Sequence, residues 1–481
     1  MSRTAPAPFG RGLTTDEGTD MSAAALNEFV TAHATEMGVP GASVAVLTTG
    51  AEHYAYHGVT SIENPLPVDA ETLFQFGSTT KTFTATAILQ LADRGLVELD
   101  APVRRYVPEL QLKDESVAET VTVLQLLNHT AGWSGDLMEN TGDGDDALAK
   151  YVARMATIDQ VAPLGASVSY NNASLSLAGR VIEKVMGSTY EQAIRELLLD
   201  PLDMDHSYFF PSEVITRRFA VGHNQKPDGS IRIARNWAVP RGSAPAGGIV
   251  ANAGDQIAWA KFHLGDGRGP DGKTVLSAEL LARMQQPTVD MSGSALGDAV
   301  GIGWLLRDLD GVQLVSHGGT TNGQHSEFVM VPEHGFALIS MTNCGPNGPQ
   351  FNKELVAWAL EHYLGLVEKE PEQLSLGESE LSPYTGTYDT IAATCEITLG
   401  EPGQLLLHVT VKPDVEAAMS ESQEDDGADE QPPIPLAIVA GDGDPYVVPG
   451  GPAKGMKGYF ARNESGQIAG VHVGGRMATK I

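Results

Sequence analysis

Three short words lie in order along this chain, far apart from one another: Ser78-Thr79-Thr80-Lys81, Tyr170-Asn171-Asn172 and His317-Gly318-Gly319. A fold that uses their chemistry has to bring them to one place, and that requirement restricts topology more than any compositional figure. The first word puts a hydroxyl one helical turn before a lysine, so the two share a helix face. A serine at a helix N-terminus also gains from the positive end of the helix dipole. The second word supplies a phenol and a carboxamide. The third ends a strand in glycines, where an acyl group can lie against backbone N–H groups. A nucleophile, candidate bases and an acyl-binding edge point to serine-dependent acyl transfer or hydrolysis.

Taken singly, each word has a plainer reading: an N-cap serine with a surface lysine, a packing tyrosine, an Asn172 that caps a helix beginning at Ala173, a structural His317. Context favours the chemistry. Gly77 precedes the serine, and the helix after Lys81 is apolar, so the lysine enters a buried element. Lys81 acts as a base only when a fraction is neutral, through burial or by sharing a proton with a phenol such as Tyr170.

Periodicity divides the chain. Residues 1–21 read as a mobile leader, and residues 22–37 as an amphipathic helix with Leu26, Phe29, Val30 and Met37 on one stripe. Ala42–Leu47 and His53–His57 form a hairpin, and Ser78–Arg94 a helix stopped by Gly95. A mostly helical lobe spans about 96–245. Helices at 253–263 and 277–285 precede a strand meander, Gly303–Arg307, Val312–Ser316, Ser326–Val331 and Phe336–Thr342, closed by a helix at Phe351–Leu364. The hairpin and the late strands are expected to share one antiparallel sheet. The fold class is therefore α+β, an antiparallel sheet flanked by helices plus a helical lobe over 22–369, followed by an all-β barrel or sandwich over 378–481. An acidic stretch, 414–431, interrupts the last part.

The formal charge of −30, from 61 acidic and 31 basic side chains, argues against nucleic acid and anionic membrane as partners. No run of about 18 apolar residues occurs, and the N-terminus has no apolar signal region, so a cytoplasmic protein is expected. The two cysteines, Cys344 and Cys395, read as buried apolar groups. No metal or cofactor motif is present, and none is expected. A homo-oligomer stays open.

The flanks of the three words extend the pattern. Thr72–Ser78 (TLFQFGS), Leu126–Trp133 (LLNHTAGW), Tyr170–Asn172 with the helical stretch after it, and Ala246–Ile249 (AGGI) together resemble the serine β-lactamase and penicillin-binding-protein superfamily over roughly 25–366. The likeness is to its class C-like branch, which includes D-amino-acid peptidases and amidases and family VIII carboxylesterases. The resemblance implies Ser78 as the acylated nucleophile and Lys81 and Tyr170 as a shared base and acid. It implies Asn172 as an orienting group, and the Ser78 and Thr320 amides beside Gly319 as an oxyanion hole. His317 stands where β-lactamases carry a lysine for the antibiotic's carboxylate, and a largely neutral histidine there favours an esterase, amidase or peptidase over a β-lactamase. An acyltransferase, or a penicillin-binding sensor that acylates without turnover, is the alternative. The words Tyr384–Tyr388 (YTGTY) and Gly474-Gly475-Arg476 resemble the opening and closing strands of a lipocalin-like barrel found on some of these relatives.

Overall fold

The computed structural model describes residues 15–481 except 136, 138, 227, 413–431, 442 and 452. The acidic 414–431 stretch and residues 1–14 of the expected leader lie outside the described residues. The first helix, Thr15–Glu36, already includes residues 15–21.

The main sheet is antiparallel and runs, edge to edge, Ala51–Gly58, Gly41–Thr48, Phe336–Thr342, His325–Val331, Val312–Ser316, Leu305–Leu309, Gly297–Val300, Val289–Ser294. The chain's first strand thus sits between its hairpin partner and one of the last, with Ala42 opposite both His57 and Thr342. This is the long-range pairing expected from the sequence. Gly41–Thr48 is buried along nearly its whole length, whereas the edge strand Ala51–Gly58 alternates. The reason is that helices cover both faces. On one side Leu26 and Val30 of the first helix and Phe351 and Leu355 of Asn347–Leu364 pack on Val44, Val46 and Leu338. On the other, Phe83 of Thr80–Asp93 and Trp259 of Ala253–Leu264 pack over Ala45, Ile339 and Met341.

Short strands inside the expected helical lobe, Ser207–Tyr208, His223–Gln225 and Ile231–Ile233, escaped the sequence reading, and so did two strands at the edge of the main sheet, Val289–Ser294 and Gly297–Val300. The serines and glycines of these last two give weak β-propensity. Tertiary pairing makes them strands: they extend the sheet edge against which the barrel docks.

The helical lobe carries Val123–Leu127, capped by a Thr122–Gln125 capping box, then Ala147–Arg154 and Asn172–Met186. The C-terminal part is a closed eight-stranded barrel, sealed where Tyr388 pairs with Lys480. Tyr388, Leu405, Leu407, Leu436, Tyr446 and Phe460 fill its interior, as a barrel of eight strands allows. It docks through the Lys457–Arg462 strand on Val289–Ser294. Glu368, before the barrel, pairs with Arg307 of the sheet at 3.1 Å and Lys457 of the barrel at 2.9 Å.

Candidate active site

Ser78 lies in a single 3-10 turn, Gly77–Thr79, that runs straight into the Thr80–Asp93 helix. Gly77 has φ +65°, which L side chains rarely adopt, and a Cβ there would lie 2.9 Å from the Thr320 nitrogen. The helix is buried on every side from Thr80 to Leu91. Its threonines make that burial tolerable, because each hydroxyl finds a partner on a different neighbour. Thr79 donates to the His317 carbonyl at 3.0 Å, and Thr80 accepts from the Ile249 amide at 3.2 Å. Thr82 accepts from the Trp259 indole at 3.0 Å, and Thr84 donates to the Pro245 carbonyl at 2.7 Å. The candidate nucleophile is therefore held at the head of this buried helix.

Lys81 is fully buried. Its Nζ donates to Ser78 Oγ at 3.0 Å and to the Ala246 carbonyl at 2.7 Å. The Ala246–Ile249 stretch thus meets the site through a main-chain oxygen. Nζ also lies 4.8 Å from the centroid of the Tyr170 ring. Lys81 thus touches both the Ser78 hydroxyl of its own word and the ring of the second.

The third word presses on the same turn. Gly319 and Thr320 pair with Ser326 and His325, and Ser326 Oγ donates to the Phe76 carbonyl at 2.7 Å. A Cβ on Gly319 would collide with that carbonyl oxygen and lie 2.8 Å from the Ser78 nitrogen. Glycine is demanded by this close approach, which sets the Ser78 and Thr320 amides side by side. His317 is only 2% exposed and its Nδ1 donates to the Gly318 carbonyl at 2.7 Å. Burial, then the charge of Lys81, hold its pKa down to about 3, so the ring is neutral and brings no positive charge to the cleft.

Asn172 does not cap its helix. Asn171 does, accepting from the Ser174 amide at 2.8 Å, and Asn172 is the first helical residue, partly exposed beside Tyr170. The Asn171 side chain is engaged at both ends: Oδ1 also accepts from the Trp133 indole at 3.1 Å, and Nδ2 donates to the Trp133 carbonyl at 2.9 Å. The LLNHTAGW segment, seen in the sequence only as a flank, is what grips the second word.

The barrel supplies what the sequence reading missed. The turn at Gly474-Gly475, after Ile468–Val473, reaches the catalytic lobe, and the Gly475 carbonyl accepts from the Tyr170 amide at 2.9 Å. The Arg476 guanidinium sits 5.5 Å from the Tyr170 ring centroid. Gly474-Gly475-Arg476 had been noted only as a strand word, and no feature of it announces a site. Among the described residues, no group of three or more His, Cys, Asp or Glu could hold a metal ion. Cys344 and Cys395 are both buried free thiols, their pKa values pushed up to about 11 by desolvation. No helix among the described residues is long and apolar enough to cross a membrane.

Comparison with known proteins agrees with this geometry. Residues 26–362 match the family model described as Beta-lactamase. Penicillin-binding protein 4 of Amycolatopsis lactamdurans is 34% identical over 362 residues, covering 74% of this chain and 94% of the relative. Among solved structures, SurE superposes with a TM-score of 0.74 at 25% identity, covering 96% of this chain and all of SurE, barrel included. D-amino acid amidase from Ochrobactrum anthropi SV3, complexed with L-phenylalanine amide, superposes with a TM-score of 0.57 at 25% identity over 70% of this chain and 95% of the amidase.

Proposed function

The chain belongs to the β-lactamase family, and from that premise we propose that it is a serine hydrolase that opens an ester or amide bond through an acyl-enzyme on Ser78. The observation that carries the proposal is the 3.0 Å contact between Lys81 Nζ and Ser78 Oγ under the Tyr170 ring. Ser78 Oγ attacks the substrate carbonyl carbon while its proton passes to the Lys81–Tyr170 pair. The oxyanion rests against the Ser78 and Thr320 N–H groups. Collapse breaks the bond to the leaving group, which takes the proton back through Tyr170. Water then attacks the acyl-enzyme, gives its proton to the same pair, and Ser78 leaves with one restored. Asn172, at the first turn of its helix, orients the substrate beside Tyr170, and the edge from His317 to Thr320 lines the acyl group.

Esters and D-amino-acid amides or peptides are the leading substrate class. The likeness to a D-amino acid amidase and the neutral His317, which lacks the charge a β-lactam carboxylate seeks, support it. One observation favours a second reading. Arg476 brings a permanent cation next to Tyr170 from the other domain, and a substrate or acyl acceptor bearing a carboxylate, a β-lactam included, would find its counter-charge there.

The test is a panel of p-nitrophenyl esters, D- and L-aminoacyl p-nitroanilides and nitrocefin on wild type and Ser78→Ala. Turnover should fall at least about a hundredfold in the variant, since covalent catalysis is removed. Turnover that survives Ser78→Ala refutes the mechanism. Stoichiometric labelling by a fluorescent penicillin without product release replaces it with a binding role.

A further inference from the structure

Tyr170 is suspended by three consecutive amides, and each is satisfied from a remote part of the chain. The Ser169 N–H donates to the His129 carbonyl at 3.0 Å, and the Tyr170 N–H to the Gly475 carbonyl at 2.9 Å. The Asn171 N–H donates to His129 Nδ1 at 3.1 Å. One residue, His129, therefore holds the backbone on both sides of the tyrosine. Its ring also lies against the phenol, with centroids 4.6 Å apart and planes 34° from parallel. We propose that His129 is the positioning residue of Tyr170: its carbonyl and its Nδ1 lone pair fix the backbone, and its ring fixes the side chain, so that the hydroxyl meets Ser78 and Lys81 in one pose. The proposal rests on the acyl-enzyme reading given above.

Three further observations bear on it. First, accepting from an N–H defines the tautomer, with the proton on Nε2; an imidazolium would set two donors against each other. Complete burial, and after it the neighbouring Lys81, His317 and Arg476, drive its pKa well below the usual histidine value, which keeps the lone pair in place. Second, His129 has φ +61°, a backbone conformation that residues with a Cβ enter at a cost and that persists where the surroundings impose it, often at functional sites. Third, the grip continues beyond His129: Trp133, four residues on, holds the Asn171 carboxamide from both ends. A histidine serving only as core filler has no need to aim its one acceptor at an amide beside a proton-transfer tyrosine.

Two variants separate positioning from folding. His129→Gly accepts the positive φ and deletes the acceptor and the ring. His129→Asn also tolerates that φ, and its Oδ1 occupies nearly the place of Nδ1 on the Cβ–Cγ arm, so the Asn171 amide keeps a partner. With a p-nitrophenyl ester that wild type turns over, His129→Gly should lower kcat about a hundredfold and leave KM nearly unchanged, the loss expected of a small misplacement of a reacting group. His129→Asn should recover about tenfold of that loss, because it restores one of the two lost contacts. Equal kcat in the two variants, or a wild-type kcat in His129→Gly, overturns the proposal. Should His129→Gly fail to fold, His129→Asn decides alone: a kcat lowered by about three- to thirtyfold with KM nearly unchanged supports the proposal, and either an unchanged kcat or a larger loss overturns it. Wild-type protein without Ser78-dependent turnover refutes the function itself and this proposal with it; active wild type with unaffected variants refutes this proposal only.

Discussion

Replacing Lys81 by methionine should abolish chemistry and leave the fold standing. The side chain is fully buried and its ammonium has two acceptors at hand, Ser78 Oγ and the Ala246 carbonyl. Two opposing effects set the stability change. Methionine orphans the Ala246 carbonyl, which costs about 1–3 kcal/mol. It also removes a polar, ionisable head from the interior and puts a thioether of similar length in its place, and exchanging a buried charge for packed apolar atoms typically stabilises by about 1–4 kcal/mol. The sum lies within about 3 kcal/mol of zero, with a bias toward greater stability. In a domain as large as residues 26–362, 1 kcal/mol moves Tm by about 1–2 °C, so calorimetry should find Lys81→Met close to wild type or above it. Turnover behaves differently. Without the amine, Ser78 loses its proton acceptor, and acylation should slow by about 10²–10⁴. The assay pairs a stopped-flow burst of p-nitrophenol with a melting curve on the same preparation. A burst rate within tenfold of wild type would refute Lys81 as a base. A variant that melts more than about 10 °C lower would show that the ammonium holds the fold, and the buried-charge argument would fail.

Two other expectations follow from the electrostatics. Arg476→Ala should raise KM by about 10- to 100-fold for substrates carrying a carboxylate, the value of one charge-assisted contact, and leave neutral esters unchanged; an equal effect on both substrate types would remove the counter-charge role. Acid should destabilise the protein between about pH 6.5 and pH 4, because His263 and His317 are held at about 3 and His325 and His472 at about 4, mainly by burial. The unfolded chain binds protons on these rings from pH 6.5 downward while the folded one does not, so stability falls as pH falls, by up to about 1.4 kcal/mol per pH unit for each ring. Glu327, raised to about 7 by burial, works in the opposite sense, since its folded form holds a proton that the unfolded form releases above about pH 4.5. Burial also lowers His53, His57, His129 and His223 and raises Glu183 and Asp255. Eight lowered rings against three raised carboxyls among the described residues leave a net acid sensitivity, and a Tm that does not change between pH 6.5 and 5 would contradict it.

The three words could be read because they are made of side chains that carry chemistry at fixed spacing. Ser78 and Lys81 are three apart, and the 3-10 turn that runs into the Thr80–Asp93 helix brings Lys81 Nζ to 3.0 Å from Ser78 Oγ. The Gly41–Thr48 strand could be read because burial on both faces leaves a continuous apolar run. Val289–Ser294 could not, because its strand character comes from the neighbours it joins and not from its own serines and glycine. Asn171 and Asn172 show the limit at single-residue scale. Both are asparagines at a helix start and either could cap; Trp133 engages the carboxamide of Asn171, and that is the one that caps.

The barrel's share in the site was hidden for a different physical reason. What Gly475 gives Tyr170 is a main-chain carbonyl, and every residue has one. A carbonyl becomes specific only through where the backbone is carried, here by a turn at the end of a barrel strand whose two glycines have φ +56° and +86°. A Cβ on the second of them would come within 2.8 Å of Leu296, a residue of the very edge that lacked strand propensity. The weak strands, the glycine turn and the tyrosine amide thus form one chain of dependence: the sheet edge seats the barrel, the barrel seats its turn, and the turn holds the backbone of Tyr170. Side-chain motifs announce the reacting groups of such a site, and its geometry is written in backbone contacts that no motif records.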